Sequence, residues 1–578
     1  MRRSRRRPVR QARGARRHHQ GAQRGVPRPR RRPTARAGGG DVPDRQGDLL
    51  APGVEGGDRG GRDSRRPRRR GARRLRVVRV VQCARRRPAG APRYPDGRRR
   101  HRALRRRGAR AGAPARDARL SDGADPSPGP AVDDARASRP CGCCVRRDRP
   151  AADHVTSLRV AGGTVVTSDG AGPADIVVTA GRIAAVEPAA DRTPSGDDVD
   201  ARGCIVLPGG VDPHSHPLSG LTAATVSARH GGTTTVLAFA APAPGETPAD
   251  AWRRAEQDVL TDAAVDVHLH PSIWEPDRLD RATLEELRAL GATSVKLFLA
   301  YPELGMMASD RRLYETLRDA SSLGMLTMVH CESGGVIEAL IDEQLAAGNL
   351  GVDGFVGARP PGVEEEAVSR VLHLARLADA PVYLVHLSCA ASVDLVRAAR
   401  RRGQTVWAEA CTHHLLLDDS SYTRADPERW LGVPPLRPAT DVEALWEAVL
   451  DGTIDTIGSD HAQVPYKPDI SVEDFRSLAY GFAGIELRVP AVLSEGRRRG
   501  LPWERLADLL TFAPARAFRI EGKGVIAPGA PADLVVWDPE EHWTVAASDL
   551  HDGVGTTVYE GVILDGRIRR VVRTGRVE

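Results

Sequence analysis

Short apolar runs alternate with longer amphipathic segments from about Pro208 onward in this chain of 578 residues. The apolar runs are TTTVLAFA, VDVHLHPSI, TSVKLFLAY, GMLTMVHC, APVYLVHLS, QTVWAEAC and DTIGSDH. The intervening segments, such as RATLEELRAL and EEEAVSRVLHLARLA, have the composition and pattern of helices. Fully apolar strands separated by helices predict parallel β/α units. About eight units in roughly 300 residues predict a (β/α)8 TIM barrel over residues 208–519.

The two segments that flank this region have a different sequence pattern. Residues 155–207 and 520–578 are rich in short β-type runs separated by glycine-containing turns. Such runs predict strands. We expect the two segments to pair with each other and to form a small flanking β-sandwich domain.

The first 154 residues are dominated by arginine. They contain 46 Arg and no Lys against 14 acidic residues, a net charge of +32, whereas the remainder carries −22. With five Leu and no Ile, Phe or Trp, residues 1–154 cannot bury enough apolar surface to fold, so we predict that they are disordered. The alternative is a mispredicted N-terminus, with the protein starting near Val155.

The arginine-rich segment also raises the question of nucleic-acid binding. Its charge favours nonspecific binding, but Tyr94 is its only aromatic residue, so no stacking platform for a single strand exists. We therefore expect no specific nucleic-acid partner. A protein that binds nucleic acid through residues 1–154 remains an alternative hypothesis. No run approaches the ~18–20 apolar residues of a membrane span, so we expect no membrane partner.

Four cysteines lie in apolar surroundings after residue 154: Cys204, Cys331, Cys389 and Cys411. Buried, unpaired thiols are typical of a reducing compartment, which predicts a cytoplasmic protein.

Several polar residues stand where predicted strands end. His330 and His386 close two apolar runs, Asp460 closes the last, and His214 and His216 follow the first at i and i+2. Residues at i and i+2 of an extended chain point to the same side. Reactive groups of a (β/α)8 barrel gather at the C-terminal ends of its strands. Imidazoles with a carboxylate therefore predict a site for Zn²⁺ or a similar ion.

Lys296 lies inside the apolar run SVKLFLAY and is one of only three lysines in the chain. A free ammonium there carries a heavy desolvation cost. We expect its amine to react with CO2 and to form a carbamate whose two oxygens bridge two metal ions. The alternative is that the side chain snorkels to an exposed edge.

These residues belong to a longer series of motifs. In order they are LPGGVDPHSHP, GATSVKLFLAY, VHCESG, ARPPGVEEEAV, VYLVHLS, AEACTHHLLLD, VPPLR, GTIDTIGSDHA and GVIAPGAPADLVVWDP. Over about residues 157–578 the chain resembles the cyclic amidohydrolases, which comprise dihydropyrimidinases and hydantoinases with allantoinase and dihydroorotase as relatives. The resemblance implies a metal-dependent hydrolase that assembles as a homodimer or homotetramer.

The resemblance also implies a set of metal ligands. The residues that match the family's ligands are His214, His216, Lys296, His330, His386 and Asp460. The two histidines of the HxH motif, Lys296 and Asp460 would hold one divalent ion, most simply Zn²⁺. The carbamate of Lys296 would hold the second ion together with His330 and His386.

The chemistry that the family implies is hydrolytic opening of a cyclic amide or imide. A hydroxide bridging the two metals is the nucleophile. Asp460 moves its proton to the leaving nitrogen, and Tyr301 matches the tyrosine that stabilises the oxyanion.

The other histidine pairs are not expected to be ligands. His268 and His270 lie on a strand without a matching partner and are interpreted as packing residues. His413 and His414 are adjacent, so they would lie on opposite faces of any strand. His461 should point away from Asp460.

Three departures from the family pattern concern the substrate. The loop after His216 is short, Val433 stands where many relatives have Ser, and Ala483 replaces an Asn associated with the ring amide. Classical hydantoin specificity is therefore open, and an allantoinase-like ureide hydrolase is the alternative. No Arg follows HSHP, which disfavours dihydroorotase. A non-catalytic scaffold of the same family is disfavoured because no ligand is missing.

Overall fold

The computed structural model describes residues 157–190, 194, 196, 198–217, 220–464 and 474–578. The predictions for residues 1–154 lie outside these described residues. The described chain is α/β. Its strands are β1 (Leu158–Thr167), β2 (Gly170–Thr179), β3 (Arg182–Pro188), β4 (Val199–Asp200), β5 (Ile205–Pro208), β6 (Gly210–His216), β7 (Thr233–Ala240), β8 (Asp266–Pro271), β9 (Ser294–Phe298), β10 (Leu326–His330), β11 (Val382–Leu384), β12 (Val406–Cys411), β13 (Thr456–Gly458), β14 (His461–Ala462), β15 (Leu534–Thr544), β16 (Ile563–Arg573) and β17 (Arg576–Val577).

The helices fall between β6 and β15. They are α1 (Leu221–His230), α2 (Pro248–Asp262), α3 (Arg281–Ala289), α4 (Asp310–Ser322), α5 (Gly334–Ala346), α6 (Val352–Gly357), α7 (Pro361–Leu377), α8 (Ala390–Arg401), α9 (Thr412–Leu416), α10 (Ala439–Leu450), α11 (Arg488–Arg498), α12 (Trp503–Ala507) and α13 (Ala513–Ala517). In the part of the chain that the structure describes, no helix has the length and apolarity needed to cross a bilayer.

Eight strands, β6 to β13, follow one another in space as they do in sequence. Consecutive strands pair in parallel, and a single bridge between Ser272 and Lys296 joins β8 to β9. The chain then returns to the first strand, because β14 pairs in parallel with β6 through His461 and Ser215. At least one helix separates each of the strands β6 to β13 from the next. This order of pairing agrees with the predicted (β/α)8 barrel, whose closure stays a prediction.

The local sequence explains why these elements form. All residues of β7, β9 and β10 are buried, as expected of strands covered on both faces. Helix α4 begins after Ser309, whose hydroxyl accepts a hydrogen bond from the backbone N–H of Arg312. Its buried Leu313 and Leu317 are four residues apart and therefore share one face.

The two ends of the described chain meet in one sheet. Eight strands are joined in the order β17–β16–β15–β5–β1–β2–β3, with β4 beside β1. The contact between the ends is the antiparallel pairing of β15 with β5, in which Leu534 faces Pro208 and Trp537 faces Ile205. The expected pairing of the flanking segments is thus observed, whereas their arrangement as a two-layer sandwich stays a prediction. Since β5 is followed at once by β6, this sheet also anchors the strand that carries the HxH motif.

Candidate metal centre

The end of β6 and the segment that follows β13 bring three predicted ligands together. His214 Nε2 lies 3.0 Å from Asp460 Oδ1, and His216 Nε2 lies 3.3 Å from the same oxygen. The two Nε2 atoms are 3.2 Å apart. Two imidazole nitrogens and a carboxylate oxygen converging on one point are the donor types that Zn²⁺ takes in proteins.

The charges of this group are strongly coupled. Burial acts to raise the pKa of Asp460, but the two imidazoles beside it hold that pKa well below its usual value. Burial likewise acts to lower the pKa of His214, but Asp460 and Glu409 outweigh it and raise the pKa to about 9. The two carboxylates beside His214 therefore favour a positive charge at that imidazole.

Glu409, in β12, is a member of the site that the sequence reasoning missed. It is fully buried, and His214 Nδ1–H donates to its Oε1 at 2.7 Å. The backbone N–H of His386 donates to the same oxygen at 3.0 Å, and the hydroxyl of Tyr383 donates to Oε2 at 2.7 Å. A carboxylate that holds Nδ1–H leaves Nε2 of His214 free for a metal. The signal was a glutamate inside the buried run QTVWAEAC.

Lys296, in β9, is 1% exposed, which rules out the snorkelling alternative. No hydrogen bond or ion pair joins its ammonium to any residue in the described ranges. Its Nζ instead lies 5.0 Å from the ring centre of Phe239 and 5.4 Å from that of Phe298. Burial lowers the pKa of Lys296 to about 8, against the pull of Asp460 and Glu409. An amine in this setting is readily deprotonated, as carbamate formation requires.

His330 and His386 form a second group next to the first. Their ring centres are 4.6 Å apart, and the ring of His386 is 5.5 Å from that of His214. Both side chains are buried, and His330 Nε2–H donates to the buried Glu332 at 2.8 Å. The structure thus brings all the histidines predicted as ligands to one end of the parallel strands.

Tyr301 lies at the edge of this group. Its ring centre is 5.3 Å from that of His330, and the guanidinium of Arg359 lies 5.9 Å from the Tyr301 ring. Burial raises the pKa of Tyr301 well above its usual value, so the phenol keeps its proton and serves as a hydrogen-bond donor.

The backbone is strained at three of the predicted site residues. Tyr301, His386 and Asp460 have φ angles of 63°, 36° and 46°. Such left-handed conformations are uncommon outside glycine and cluster at functional sites, because the surrounding structure must hold them in place. Their coincidence at one group of side chains supports a functional site here.

The histidines that were not predicted to be ligands lie in different surroundings. His270 Nε2–H donates to the carbonyl of Pro213 at 3.2 Å, in keeping with the packing role predicted for it. His413 and His414 do not lie on a strand, so the argument from opposite strand faces does not apply to them. The chain turns into helix α9 directly after Cys411, and their ring centres lie 4.3 Å apart. His461 is buried, and its Nδ1 accepts from the N–H of Ile485 at 3.4 Å.

The sequence profile of the amidohydrolase family matches residues 205–577, the greater part of the chain. The chain therefore belongs to the amidohydrolase family.

Individual relatives narrow this class. A D-hydantoinase of Rhizobium radiobacter is 34% identical over 72% of this chain and 93% of its own length. An allantoinase of Rubrobacter xylanophilus is 35% identical over the same shares, 72% and 93%. The crystal structure of a dihydropyrimidinase from Brevibacillus agri superposes with a TM-score of 0.69 at 31% identity, covering 73% of this chain and 95% of that one. The predicted resemblance to cyclic amidohydrolases and the predicted enzyme class, a hydrolase, are confirmed.

Proposed function

We propose that this protein opens the ring of a cyclic amide or imide by metal-dependent hydrolysis, in the manner of dihydropyrimidinases and hydantoinases. The observation that carries the proposal is Lys296, which is buried, forms no ion pair with any described residue and lies in the electrostatic field of Asp460 and Glu409. A carboxylated Lys296 would supply the two oxygens needed between two divalent ions. The hydantoinase and dihydropyrimidinase relatives support the class of substrate.

The residues present fit such a pair of ions. His214, His216 and Asp460 converge within hydrogen-bonding distance of one another, and His330 and His386 stand beside them. The first three with Lys296 would hold one ion, and carboxylated Lys296 with the other two histidines would hold the second. Imidazole and carboxylate donors suit Zn²⁺.

Each side chain has a separate task in the proposed reaction. Bound divalent ions supply a water nucleophile at neutral pH and polarise the substrate carbonyl. Asp460 takes the proton of the attacking water and passes it to the leaving amide nitrogen. Tyr301, protonated because its pKa is raised, donates to the oxygen on which charge develops. Glu409 orients His214 through Nδ1–H.

The same site also suits an allantoinase-like ureide hydrolase, and the similarity to the Rubrobacter allantoinase favours this second candidate. The short loop after His216 includes residues 218 and 219, which lie outside the described residues. Val433 is half-buried and packs against the cluster that contains Leu431 and Phe475. A non-catalytic scaffold is disfavoured because every predicted ligand is present in the sequence.

The proposal extends to the domain architecture, the assembly and the location of the protein. Residues 208–519 would form a closed (β/α)8 barrel, and residues 155–207 with 520–578 a small β-sandwich. A homodimer or homotetramer is the assembly that the family implies. The buried free thiols Cys204, Cys331, Cys389 and Cys411 support a cytoplasmic location.

The test is an assay of the full-length chain, expressed with zinc and bicarbonate, on hydantoin, dihydrouracil, allantoin and a simple cyclic imide. We expect turnover of at least one compound and about two metal ions per chain at the predicted ligands. Lys296→Ala should lose turnover, because the bridging oxygens are gone, and a short carboxylate such as propionate should partly restore it by supplying them.

The outcomes separate the parts of the proposal. Turnover that Lys296→Ala leaves unchanged would contradict the carbamate. About two ions per chain at the predicted ligands, without turnover of any compound, would retain the metal centre and overturn the substrate class. In that case Val433 and Ala483 would be the first positions to examine for a different amide.

A further inference from the structure

A second cluster of metal-ligand side chains lies where β12 passes into α9. Cys411 is the last residue of β12, and His413 and His414 lie in the first turn of the helix. One ligand atom from each of the three lies within 4.8 Å of the other two. All three residues are buried, with at most 2% of their surface exposed.

Each imidazole of this cluster has a ring nitrogen without a hydrogen-bond partner among the described residues. His414 Nε2–H donates to the carbonyl of Pro434 at 3.1 Å, which leaves the lone pair on Nδ1. Among the described residues, neither this Nδ1 nor the Nδ1 of His413 has a hydrogen-bond partner. Buried polar atoms are nearly always paired, so two orphaned nitrogens in one cluster point to a missing ligand. A histidine held by a backbone carbonyl through its other nitrogen is typical of metal sites.

The surroundings limit what that ligand is. The ring centre of Phe482 lies 4.6 Å from that of His413, so apolar surface closes one side of the cluster. Cys411 Sγ lies 4.0 Å from the Oε1 of Glu409, so a carboxylate stands next to the thiol. One sulfur, two imidazole nitrogens and a neighbouring negative charge form a donor set for a soft or borderline cation.

We propose that Cys411, His413 and His414 bind one ion of the Zn²⁺ type, separate from the centre at His214, His216 and Asp460. The donor atoms all lie within 4.8 Å of one another, a range that includes the separations set by Zn–S and Zn–N bonds of about 2.3 and 2.0–2.1 Å. The thiol gives its proton to solvent as the sulfur binds, so one proton leaves for each ion that enters.

This ion would have a structural task at the first centre. Glu409 accepts the Nδ1–H of His214 and also lies beside Cys411. An ion held at the start of α9 fixes the end of β12 and with it the carboxylate that orients His214. The proposal does not depend on which amide is hydrolysed.

The experiment uses full-length protein in which Cys83, Cys141, Cys143 and Cys144 are replaced by Ser, since those thiols lie outside the described residues and would bind metal themselves. The metal-free protein is loaded with Co²⁺, and the ions per chain are counted. Thiolate-to-cobalt charge transfer gives a near-ultraviolet band that imidazole and carboxylate ligands do not produce. We expect this band and about one ion per chain more than in Cys411→Ser.

Matched variants decide the assignment. Cys204→Ser, which removes a buried thiol of the flanking sheet, should keep the band and the ion. His413→Asn should lose the additional ion, and Asp460→Asn, which disables the first centre, should keep the band. The proposal is overturned if the background protein shows no band, if Cys411→Ser retains it, or if Asp460→Asn abolishes it. Failure of the hydrolase assay leaves all these readouts in place, so the two proposals are tested separately.

Discussion

Besides the thiol of Cys411, three donors converge on the carboxylate of Glu409: a side chain of β6, a side chain of β11 and the backbone beyond β11. A buried charge is stable only when such donors surround it. Because one of the donors is His214 Nδ1–H, the position of a predicted ligand depends on a residue that would not itself touch the metal. At the scale of single residues, the geometry of the site therefore depends on a buried carboxylate that is not one of the predicted ligands.

The variant Glu409→Gln tests this role. Glutamine keeps the size of the side chain but loses the charge that holds His214 Nδ1–H, so we expect metal affinity to fall by about 10–100-fold. Affinity is measured by competition with a chelator, with circular dichroism to verify folding.

Glu486→Gln is the matched control, since Glu486 accepts from Ser227 at 2.8 Å and from the N–H of His551 and not from a predicted ligand. Equal losses of metal affinity in the two variants would contradict a specific role for Glu409.

At the scale of elements, the flanking sheet depends on a close approach between β15 and β16. Gly566 has a φ of 88°, and a Cβ built on it would lie 1.7 Å from a ring carbon of Trp537. Trp537 is 1% exposed, so its ring has little freedom to move away. Only glycine satisfies both the backbone conformation and the contact.

We expect Gly566→Ala to destabilise the protein strongly. The left-handed backbone costs alanine roughly 1–2 kcal/mol, and overpacking against the indole adds about 1–3 kcal/mol. Gly561→Ala is the control, since Gly561 has a φ of 79° with nothing within 4 Å of the added carbon. The comparison is made by thermal unfolding, and equal losses in melting temperature would show that the contact with Trp537 has no cost.

At the scale of the whole molecule, Lys523 links distant parts of the chain. Its buried ammonium contacts the carboxylates of Asp266, at the start of β8, and Asp533, just before β15. Burial acts to lower the pKa of Lys523, but the two carboxylates raise it above its usual value. Burial acts to raise the pKa of Asp266, but Lys523 holds it below its usual value.

The sign of the pH dependence follows from these shifts. A raised lysine pKa stabilises the fold at pH values below about 10.5, and a lowered aspartate pKa stabilises it above about 3.8. We therefore expect Lys523→Met to cost about 3–5 kcal/mol near pH 7, because Asp533 loses Lys523 and Asp266 keeps only Arg573, 3.8 Å away. The deficit should shrink toward pH 4, as Asp266 becomes protonated in the variant.

Melting temperatures of the wild type and Lys523→Met at pH 7 and pH 5 measure this difference. Arg311→Met, which removes an 87% exposed partner of Glu315, should change the melting temperature little. A deficit of Lys523→Met that does not change with pH would contradict the assignment to these charges.

The sequence alone determined the alternation of strands and helices, the residues at the strand ends and the unusual lysine at position 296. These features are readable because apolar periodicity and ligand chemistry are local properties of a few neighbouring residues. The motif series also identified the family, since several short patterns in order are specific even when each is weak.

Tertiary structure decided what depends on residues far apart in sequence. The hydrogen bond from His214 to Glu409, the absence of a described counter-ion beside Lys296 and the pairing of β5 with β15 each join segments that no local pattern connects. The turn into α9 also escaped prediction, and it places His413 and His414 beside Cys411. Strand and helix preferences over two or three residues are too weak to outweigh packing, so only the folded chain sets these contacts.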